Sequence, residues 1–356
     1  MKQIRLFLLV LLVAVTSCVA APKSEEVRNV IYLIGDGMGL SHASMLEIEE
    51  GYRPTAFDRA QSIALVSTRS ANNRVTDSAA AGTALATGTK INNSALGLTP
   101  DSVELTTMME LARDRGMATG LVVTCYLQHA TPAAFYANTP KRSRYDEITE
   151  QLLACNFDVL IGGGTRWMNE ERWRQVGEQG YTIARNEEEL LAATSDRLFA
   201  LLAEENLPKA PERGDYLPKA TAKALELLSR EKEGFLLMIE GSQIDGAGHA
   251  RNAAHLLAEM RDFEQTIAVA MDFADRHPGT LVVVTADHET GGLSMPSGNS
   301  DFTLSESGID YRFGTGSHTG IRVPAYFYGA GAEQFGGQMD NTELARQIMR
   351  IVGLAE

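Results

Sequence analysis

Val30-Ile31-Tyr32-Leu33-Ile34-Gly35-Asp36-Gly37-Met38-Gly39 gives the clearest indication of the architecture. Its first five residues are all apolar, and glycines and an aspartate follow them directly. An apolar run of this length without polar alternation is typical of a strand that is buried on both faces of a parallel sheet. The stretch therefore predicts a central strand whose carboxyl end presents Asp36.

The same pattern recurs along the chain and alternates with helical segments. Further apolar runs predict strands at residues 63–67, 120–124, 158–161, 235–239, 281–284 and 325–328. Helical periodicity predicts helices at residues 105–115, 145–154, 221–231, 252–274 and 341–352. Residues 167–218 are polar, and we expect them to be helix-rich and peripheral. Strands alternating with helices predict an α/β fold with a mostly parallel central sheet and helices on both faces.

Polar residues follow several of the predicted strands, where the chain leaves the sheet. They are Asp36, His129, Thr131, Glu240, Asp245, Asp287 and His288. In open parallel sheets, ligands bind beyond the carboxyl ends of the strands. A single polar residue at such a place is usually a turn former. Acidic or histidine residues after four separate strands indicate one convergent site with metal-ligand chemistry.

The segment from Arg74 to Gly88 is a second candidate for the chemistry. Asp77 and Ser78 precede an alanine-rich run, which predicts a helix with Ser78 at its amino terminus. Free backbone N–H groups and the helix dipole favour an anion there. Taken alone, the segment is better explained by Asp77 and Ser78 as ordinary helix caps, because caps are common and nucleophilic serines are rare.

Three further motifs carry metal-ligand residue types in glycine-rich surroundings. Glu240, Asp245 and His249 lie in one segment, the pair Asp287-His288 follows an apolar strand, and His318 lies in a loop of small residues. Carboxylates and imidazoles together suit Zn²⁺, whereas carboxylate, hydroxyl and water suit Mg²⁺. Each motif has a plain alternative as a surface turn, and Glu289 fits that alternative best.

Composition and the amino terminus restrict the class of protein. The net charge of −14 disfavours a nucleic-acid partner. Lys2, Arg5 and a short apolar run at 6–15 predict a signal peptide over residues 1–20. Val15-Thr16-Ser17-Cys18 fits a bacterial lipobox with a lipid on Cys18, whereas Cys18-Val19-Ala20 fits ordinary cleavage after Ala20. Both routes export the protein, to the periplasm or beyond, and leave residues 21–356 as one domain.

Two cysteines, Cys125 and Cys155, lie in the exported domain. Cys125 lies near the end of a predicted strand and Cys155 near the end of a predicted helix. Because a disulfide requires close and well-aligned Cβ atoms, we expect two free thiols.

Taken together, these motifs resemble the bacterial secreted type of alkaline phosphatase. The matching segments are 35–39, 76–80, 129–132, 240–249, 285–288 and 318–320, and they occur in the order typical of that family. They extend from Asp36 to His318 and so cover nearly the whole exported chain. The resemblance implies a three-layer sandwich with reduced peripheral insertions, because only a short segment separates His288 from His318.

The resemblance also implies an activity and its residues. It implies hydrolysis of phosphate monoesters at alkaline pH through a phosphoserine on Ser78, with Arg142 gripping the phosphate; Arg144 is the alternative to Arg142. It implies two Zn²⁺ and one Mg²⁺. The ligand sets would be Asp245, His249 and His318 for one zinc, Asp36, Asp287 and His288 for the other, and Asp36, Thr131 and Glu240 for magnesium.

The chain departs from the family pattern near the third metal. His129 occupies a position that is aspartate in some members and histidine in others, and we expect it to act beside the ligands and to weaken selection for Mg²⁺. Gly246 replaces a larger residue found in many relatives, which predicts a more open site.

The partners implied are small phosphate monoesters, inorganic phosphate as product and inhibitor, and a second copy of the chain in a homodimer. Two other functions stay open from sequence. One is a related phosphodiesterase or sulfatase, although such enzymes typically use threonine or a modified residue as nucleophile. The other is a phosphate- or metal-binding protein without catalysis, against which Ser78 and Arg142 argue.

Overall fold

The structure, a computed structural model, describes residues 26–301, 303 and 308–355. The predicted signal peptide, including Cys18, lies outside these residues. No helix among them is both long enough and apolar enough to cross a bilayer.

In the described residues, ten strands form one sheet, and four shorter strands form two antiparallel pairs. The strands are β1 Asn29–Gly35, β2 Ser62–Ser67, β3 Ala118–Tyr126, β4 Val159–Gly163, β5 Thr182–Ala184, β6 Leu198–Leu201, β7 Phe235–Gly241, β8 Thr280–Thr285, β9 Glu289–Thr290, β10 Leu293–Ser294, β11 Arg312–Phe313, β12 His318–Thr319, β13 Val323–Gly329 and β14 Gly337–Asp340. The order across the large sheet is β14-β2-β13-β8-β1-β7-β3-β4-β6-β5.

Eleven α-helices surround the sheet in the described part of the chain. They are α1 Leu40–Glu49, α2 Ser78–Thr87, α3 Met108–Asp114, α4 Ala130–Ala133, α5 Tyr145–Ala154, α6 Glu170–Glu178, α7 Glu187–Ala192, α8 Tyr216–Leu228, α9 Gln243–His249, α10 Ala253–Arg276 and α11 Asn341–Ile351. The helices α8 and α10 pack on each other and on the central strands, while α2 packs on α4 and α11. The predicted α/β sandwich is confirmed.

The central strands are parallel, and their register brings their carboxyl ends to one level. Ile34 of β1 pairs with Glu240 of β7 on one side and with Thr285 of β8 on the other. Because side chains alternate along a strand, Asp36 and Asp287, each two residues beyond a paired position, lie level on neighbouring strands. The one strand that pairs antiparallel to its neighbours in this sheet is β13.

The segment 167–218 contains the helices α6 and α7, as predicted, but it is not only peripheral. It contributes β5 and β6, which extend the sheet beyond β4. The run Leu198-Phe199-Ala200-Leu201 is fully buried, so a short apolar run within polar sequence adds an edge to the core.

Two predicted helices begin elsewhere. The first begins at Met108 rather than at residue 105, because the Thr107 side chain accepts a hydrogen bond from the backbone N–H of Glu110 and Glu110 reaches back. The helix predicted at 221–231 begins at Tyr216. Both remaining cysteines are free and buried, as predicted.

Candidate active site

Ser78 is the first residue of α2 and lies at the edge where the central strands end. The side chain of Asp77 accepts a hydrogen bond from Ala80 N at 3.0 Å and caps the helix. The Ser78 hydroxyl lies 3.2 Å from Nε2 of His288, while Ser78 is almost fully buried. Asp77 therefore caps the helix, and the hydroxyl of Ser78 faces the histidine.

Asp245, His249 and His318 form the most open cluster. Oδ2 of Asp245 is 3.3 Å from Nε2 of His249, and the Nε2 atoms of the two histidines are 3.2 Å apart. Each histidine donates its Nδ1–H to a backbone carbonyl, of Gly316 for His249 and of Thr76 for His318, both at 2.9 Å. Nδ1 of each ring is used in this way, so Nε2 is the atom that faces Asp245 and the other ring. A cation bound by both Nε2 atoms would be compatible with this arrangement.

The His288 ring is also held through its Nδ1 atom, in this case by the hydroxyl of Thr290. The Thr290 hydroxyl donates to Asp245 Oδ1 at 2.5 Å and so accepts from His288 Nδ1 at 3.2 Å. Nε2 of His288 then faces Asp287 Oδ2 at 3.1 Å and Asp36 Oδ1 at 3.5 Å. Neither carboxylate oxygen accepts a conventional hydrogen bond. Asp245 also lies within reach, since Asp36, Asp245 and His288 place donor atoms within 4.8 Å of one another.

A turn at Gly37 holds this second cluster together. Gly37 N donates to Asp287 Oδ1 at 3.1 Å. Its φ is +77°, and a Cβ there would lie 2.8 Å from the Cα of Asp245. Glycine is therefore required both by backbone conformation and by the close approach of α9.

A third group lies deeper, around Asp36, Thr131 and Glu240. The Thr131 hydroxyl is 3.5 Å from Asp36 Oδ2, and Oε1 of Glu240 has no hydrogen-bond partner. Oε2 of Glu240 accepts from the thiol of Cys125 at 3.3 Å. Burial, reinforced by the charge of Glu240, raises the pKa of that thiol well above its ordinary value.

The buried carboxylates lack sufficient positive charge from the chain itself. Burial and then the charge of Asp287 raise the pKa of Asp36 well above its ordinary value, and burial raises the pKa of Glu240 to about 7. Burial also opposes ionisation of Asp245, but hydrogen bonds from His249 and His318 hold its pKa well below the usual range. The hydrogen bond to Asp245 raises the pKa of His249 to about 9. These donors fit divalent cations, which would remove the mutual repulsion.

Arg142 approaches the site, whereas Arg144 points away from it. The Arg142 guanidinium is 3.4 Å from Asp77 Oδ2 and 3.2 Å from His129 Nε2. Burial, together with the Arg142 charge, lowers the pKa of His129 to about 3, so His129 is neutral. Arg144 is half exposed and pairs with Glu147 at 3.2 Å. Of the two arginines, Arg142 is therefore the one that lies beside Asp77, the residue before Ser78.

The comparisons with known proteins agree with this geometry. Residues 27–310 match the family model described as Alkaline phosphatase. Alkaline phosphatase 3 of Bacillus subtilis is 32% identical over 92% of this chain and 89% of its own length. Streptomycin-6-phosphate phosphatase of Streptomyces griseus is 32% identical over 97% of this chain and 96% of its own.

The chain belongs to the alkaline phosphatase family. It is an alkaline phosphatase enzyme, and this family membership supports the hydrolysis of phosphate monoesters. The solved alkaline phosphatase of the Antarctic bacterium TAB5 superposes with a TM-score of 0.86 at 32% identity, over 94% of this chain and all of its own. A histidine-to-aspartate mutant of that enzyme has been solved with Mg bound in the M3 site.

Two residues of this alkaline phosphatase are buried and hydrogen-bonded, which the sequence did not predict. Glu289 is buried, not a surface turn: it accepts hydrogen bonds from Gly292 N and from the Thr319 hydroxyl. These contacts tie the His318 loop to the strand after Asp287-His288. His42 is buried too, accepts a hydrogen bond from Gly39 N and donates one to Thr290 O.

Proposed function

We propose that this alkaline phosphatase transfers the phosphoryl group to Ser78 and then hydrolyses the phosphoserine. The observation that supports this most directly is the 3.2 Å contact between the Ser78 hydroxyl and His288 Nε2. The serine stands at the amino terminus of a helix, among carboxylate and imidazole donors. A hydroxyl in such surroundings can lose its proton and meet an anionic substrate at the same place.

We propose that the three donor groups hold two Zn²⁺ and one Mg²⁺. Asp245, His249 and His318 would hold one zinc, Asp36, Asp287 and His288 the second, and Asp36, Thr131 and Glu240 the magnesium. Two observations support these assignments: Asp36, Asp287 and Glu240 each have an unpartnered oxygen, and the Nε2 atoms of His249 and His318 face each other. When bound, such cations neutralise the charge that develops on the phosphoryl oxygens and make oxygen nucleophiles more acidic.

The chain itself supplies orientation and an anion site. Asp77 fixes the first turn of α2 and keeps the Ser78 hydroxyl directed at His288. The planar guanidinium of Arg142, already close to Asp77, is placed to grip two phosphate oxygens. Thr290 holds Asp245 and orients the His288 ring.

We propose that His129 weakens selection for Mg²⁺ at the third site. Its ring is neutral and offers nitrogen, whereas Mg²⁺ prefers oxygen ligands and retained water. In the similar TAB5 enzyme, a histidine-to-aspartate mutant has Mg bound in the M3 site. That finding supports a role for His129 in the choice of metal.

Substrate comparison tests the reaction class. Monoester, diester and sulfate ester versions of one chromogenic alcohol should give fast hydrolysis of the monoester alone. A diester or sulfate rate equal to the monoester rate would favour the related phosphodiesterases or sulfatases. Tight phosphate binding without any turnover would favour a binding protein.

The remaining properties of the enzyme are also proposals. We propose small monoesters as substrates, inorganic phosphate as product and competitive inhibitor, an alkaline pH optimum and a homodimer. Deprotonation of the nucleophiles supports the alkaline optimum. A pH profile with phosphate inhibition constants, and sedimentation analysis, would test these properties.

We propose that the enzyme is exported by a signal peptide over residues 1–20, which leaves residues 21–356 as one catalytic domain. Its amino-terminal sequence would separate the two processing routes. A mature chain beginning at Ala21 in soluble material excludes the lipid on Cys18, whereas membrane partitioning that Cys18→Ser abolishes supports it.

A further inference from the structure

Cys125 lies within the third metal group, and the proposed function makes no use of it. Val123 of β3 pairs with Glu240 of β7. Because side chains alternate along a strand, Cys125, two residues further on, points to the same face as Glu240. The thiol accordingly reaches Glu240 Oε2 at 3.3 Å, and its sulfur also lies 3.4 Å from its neighbour's carbonyl at Tyr126.

Three donors of different chemistry meet at this point. Cys125, His129 and Glu240 each offer one ligand atom, and these atoms all lie within 4.8 Å of one another. Independently of the thiol, Glu240 is fully buried and its Oε1 has no partner, and Nδ1 of His129 is also buried without a partner. Sulfur, nitrogen and a single carboxylate form a donor set that suits Zn²⁺ and is poor for Mg²⁺.

We propose that Cys125, His129 and Glu240 form an alternative zinc site that competes with magnesium for Glu240. The inference rests on the proposed function only in that Glu240 is shared with the proposed magnesium site. On binding, the thiol of Cys125 releases its proton to solvent and the sulfur ligates as a thiolate. The carboxylate of Glu240, freed from the thiol hydrogen bond, supplies the oxygen ligand.

Zinc in this site also affects Arg142. In the structure Arg142 donates to Nε2 of His129, so the neutral ring carries its proton on Nδ1. If zinc takes Nε2, it displaces Arg142 from the ring. If zinc takes Nδ1, the ring proton moves to Nε2, which then cannot accept from Arg142. Either way the hydrogen bond between Arg142 and His129 is lost, and phosphate affinity changes with the metal bound.

Cobalt provides a readout that does not depend on activity. Metal-free enzyme is loaded with three equivalents of Co²⁺, and the near-ultraviolet charge-transfer absorption of a thiolate–cobalt bond is recorded. We expect the absorption in the wild type and in Cys155→Ala, which removes the other buried thiol and serves as control. Cys125→Ser should abolish the absorption, and added Mg²⁺ should reduce it in the wild type.

A competition experiment provides a second measurement in case cobalt loading is incomplete. Enzyme equilibrated with Zn²⁺ and Mg²⁺ together is desalted and its metal content determined. We expect Cys125→Ser and Cys125→Ala to shift the third site toward Mg²⁺ by about tenfold or more, without changing the content of the other two sites. Thermal unfolding verifies that the variants are folded.

Failure of the Cys125 site and failure of the proposed function give different results in these experiments. Three bound cobalt ions without thiolate absorption, or absorption that persists in Cys125→Ser, would overturn the Cys125 site and leave the phosphatase mechanism intact. An unchanged Zn²⁺ to Mg²⁺ ratio in both Cys125 variants would overturn it as well. Loss of metal binding at every site in the wild type would instead contradict the proposed function.

Discussion

Arg142 donates a hydrogen bond to Nε2 of His129 over 3.2 Å. The guanidinium lies beside Asp77, one residue before Ser78. Burial of His129, together with the Arg142 charge, lowers the pKa of the histidine to about 3. If phosphate binds at Ser78 as proposed, Arg142 is the cation beside it, and the hydrogen bond to His129 links Arg142 to the proposed third metal site.

Arg142→Ala should weaken binding of phosphate and substrate about ten- to hundredfold, because a hydrogen bond to a charged group contributes about 1.5–3 kcal/mol. Arg144→Ala is the matched control, since Arg144 pairs with Glu147 at the surface. Inhibition constants for phosphate and metal contents of both variants provide the measurement. Loss of affinity in Arg144→Ala alone would show that the assignment is wrong by two residues.

Exhaustive chelation should abolish activity, and Zn²⁺ with Mg²⁺ should restore it. The reason is the excess of buried carboxylates, three of which have an unpartnered oxygen. Activity and elemental analysis are followed together during removal and reloading. An enzyme that is fully active when metal analysis finds none would contradict the metal assignments.

His129→Asp should tighten Mg²⁺ binding and speed activation by Mg²⁺, because a carboxylate adds charge and accepts hydrogen bonds from bound water. The wild type should activate slowly with Mg²⁺ and be partly inhibited by excess Zn²⁺, and the variant should be inhibited less. Titrations from the metal-free state test this. Superimposable curves would mean that His129 has no influence on the choice of metal.

The buried ion pairs of Arg213 predict an effect on stability outside the candidate active site. Its side chain is 1% exposed and bridges Glu259 and Asp262 at 2.5 and 2.6 Å. Arg213→Ala removes the ion-pair partner of Asp262 and leaves Glu259 with only His255 and the backbone N–H of Ala210. The variant should lower the free energy of unfolding by about 3–5 kcal/mol. The surface pair of Arg174 with Glu171 is the control, and Arg174→Ala should cost less than about 1 kcal/mol. Equal denaturation midpoints for the two variants would contradict this difference.

Sequence patterns predicted strands and helices correctly where neighbouring residues determine the structure. The apolar runs at β1, β7 and β8 predicted the central strands, and the bounds of α5 agree with its prediction. The motifs also predicted which polar residues would converge, although their individual roles stay predictions.

The features that the sequence did not predict depend on contacts between residues far apart in the chain. The four residues of β6 are too few for a periodicity, and they form a strand because β4 is present to pair with them. The thiol of Cys125 meets Glu240 only through the register of β3 on β7, which sequence does not specify. Glu289 resembled a solvated turn residue because the donors that surround it come from another loop and from the turn after it.

The most direct test of the central claim is to trap the phosphoenzyme. Metal-loaded wild type is mixed with a labelled monoester, quenched in acid and digested, and the phosphopeptide is identified by mass spectrometry. We expect phosphate on Ser78 of the wild type. In Ser78→Ala we expect no trapped phosphate, turnover slower by orders of magnitude and unchanged metal content. Wild-type turnover by a metal-loaded Ser78→Ala enzyme, or phosphate trapped on another residue, would contradict the central claim.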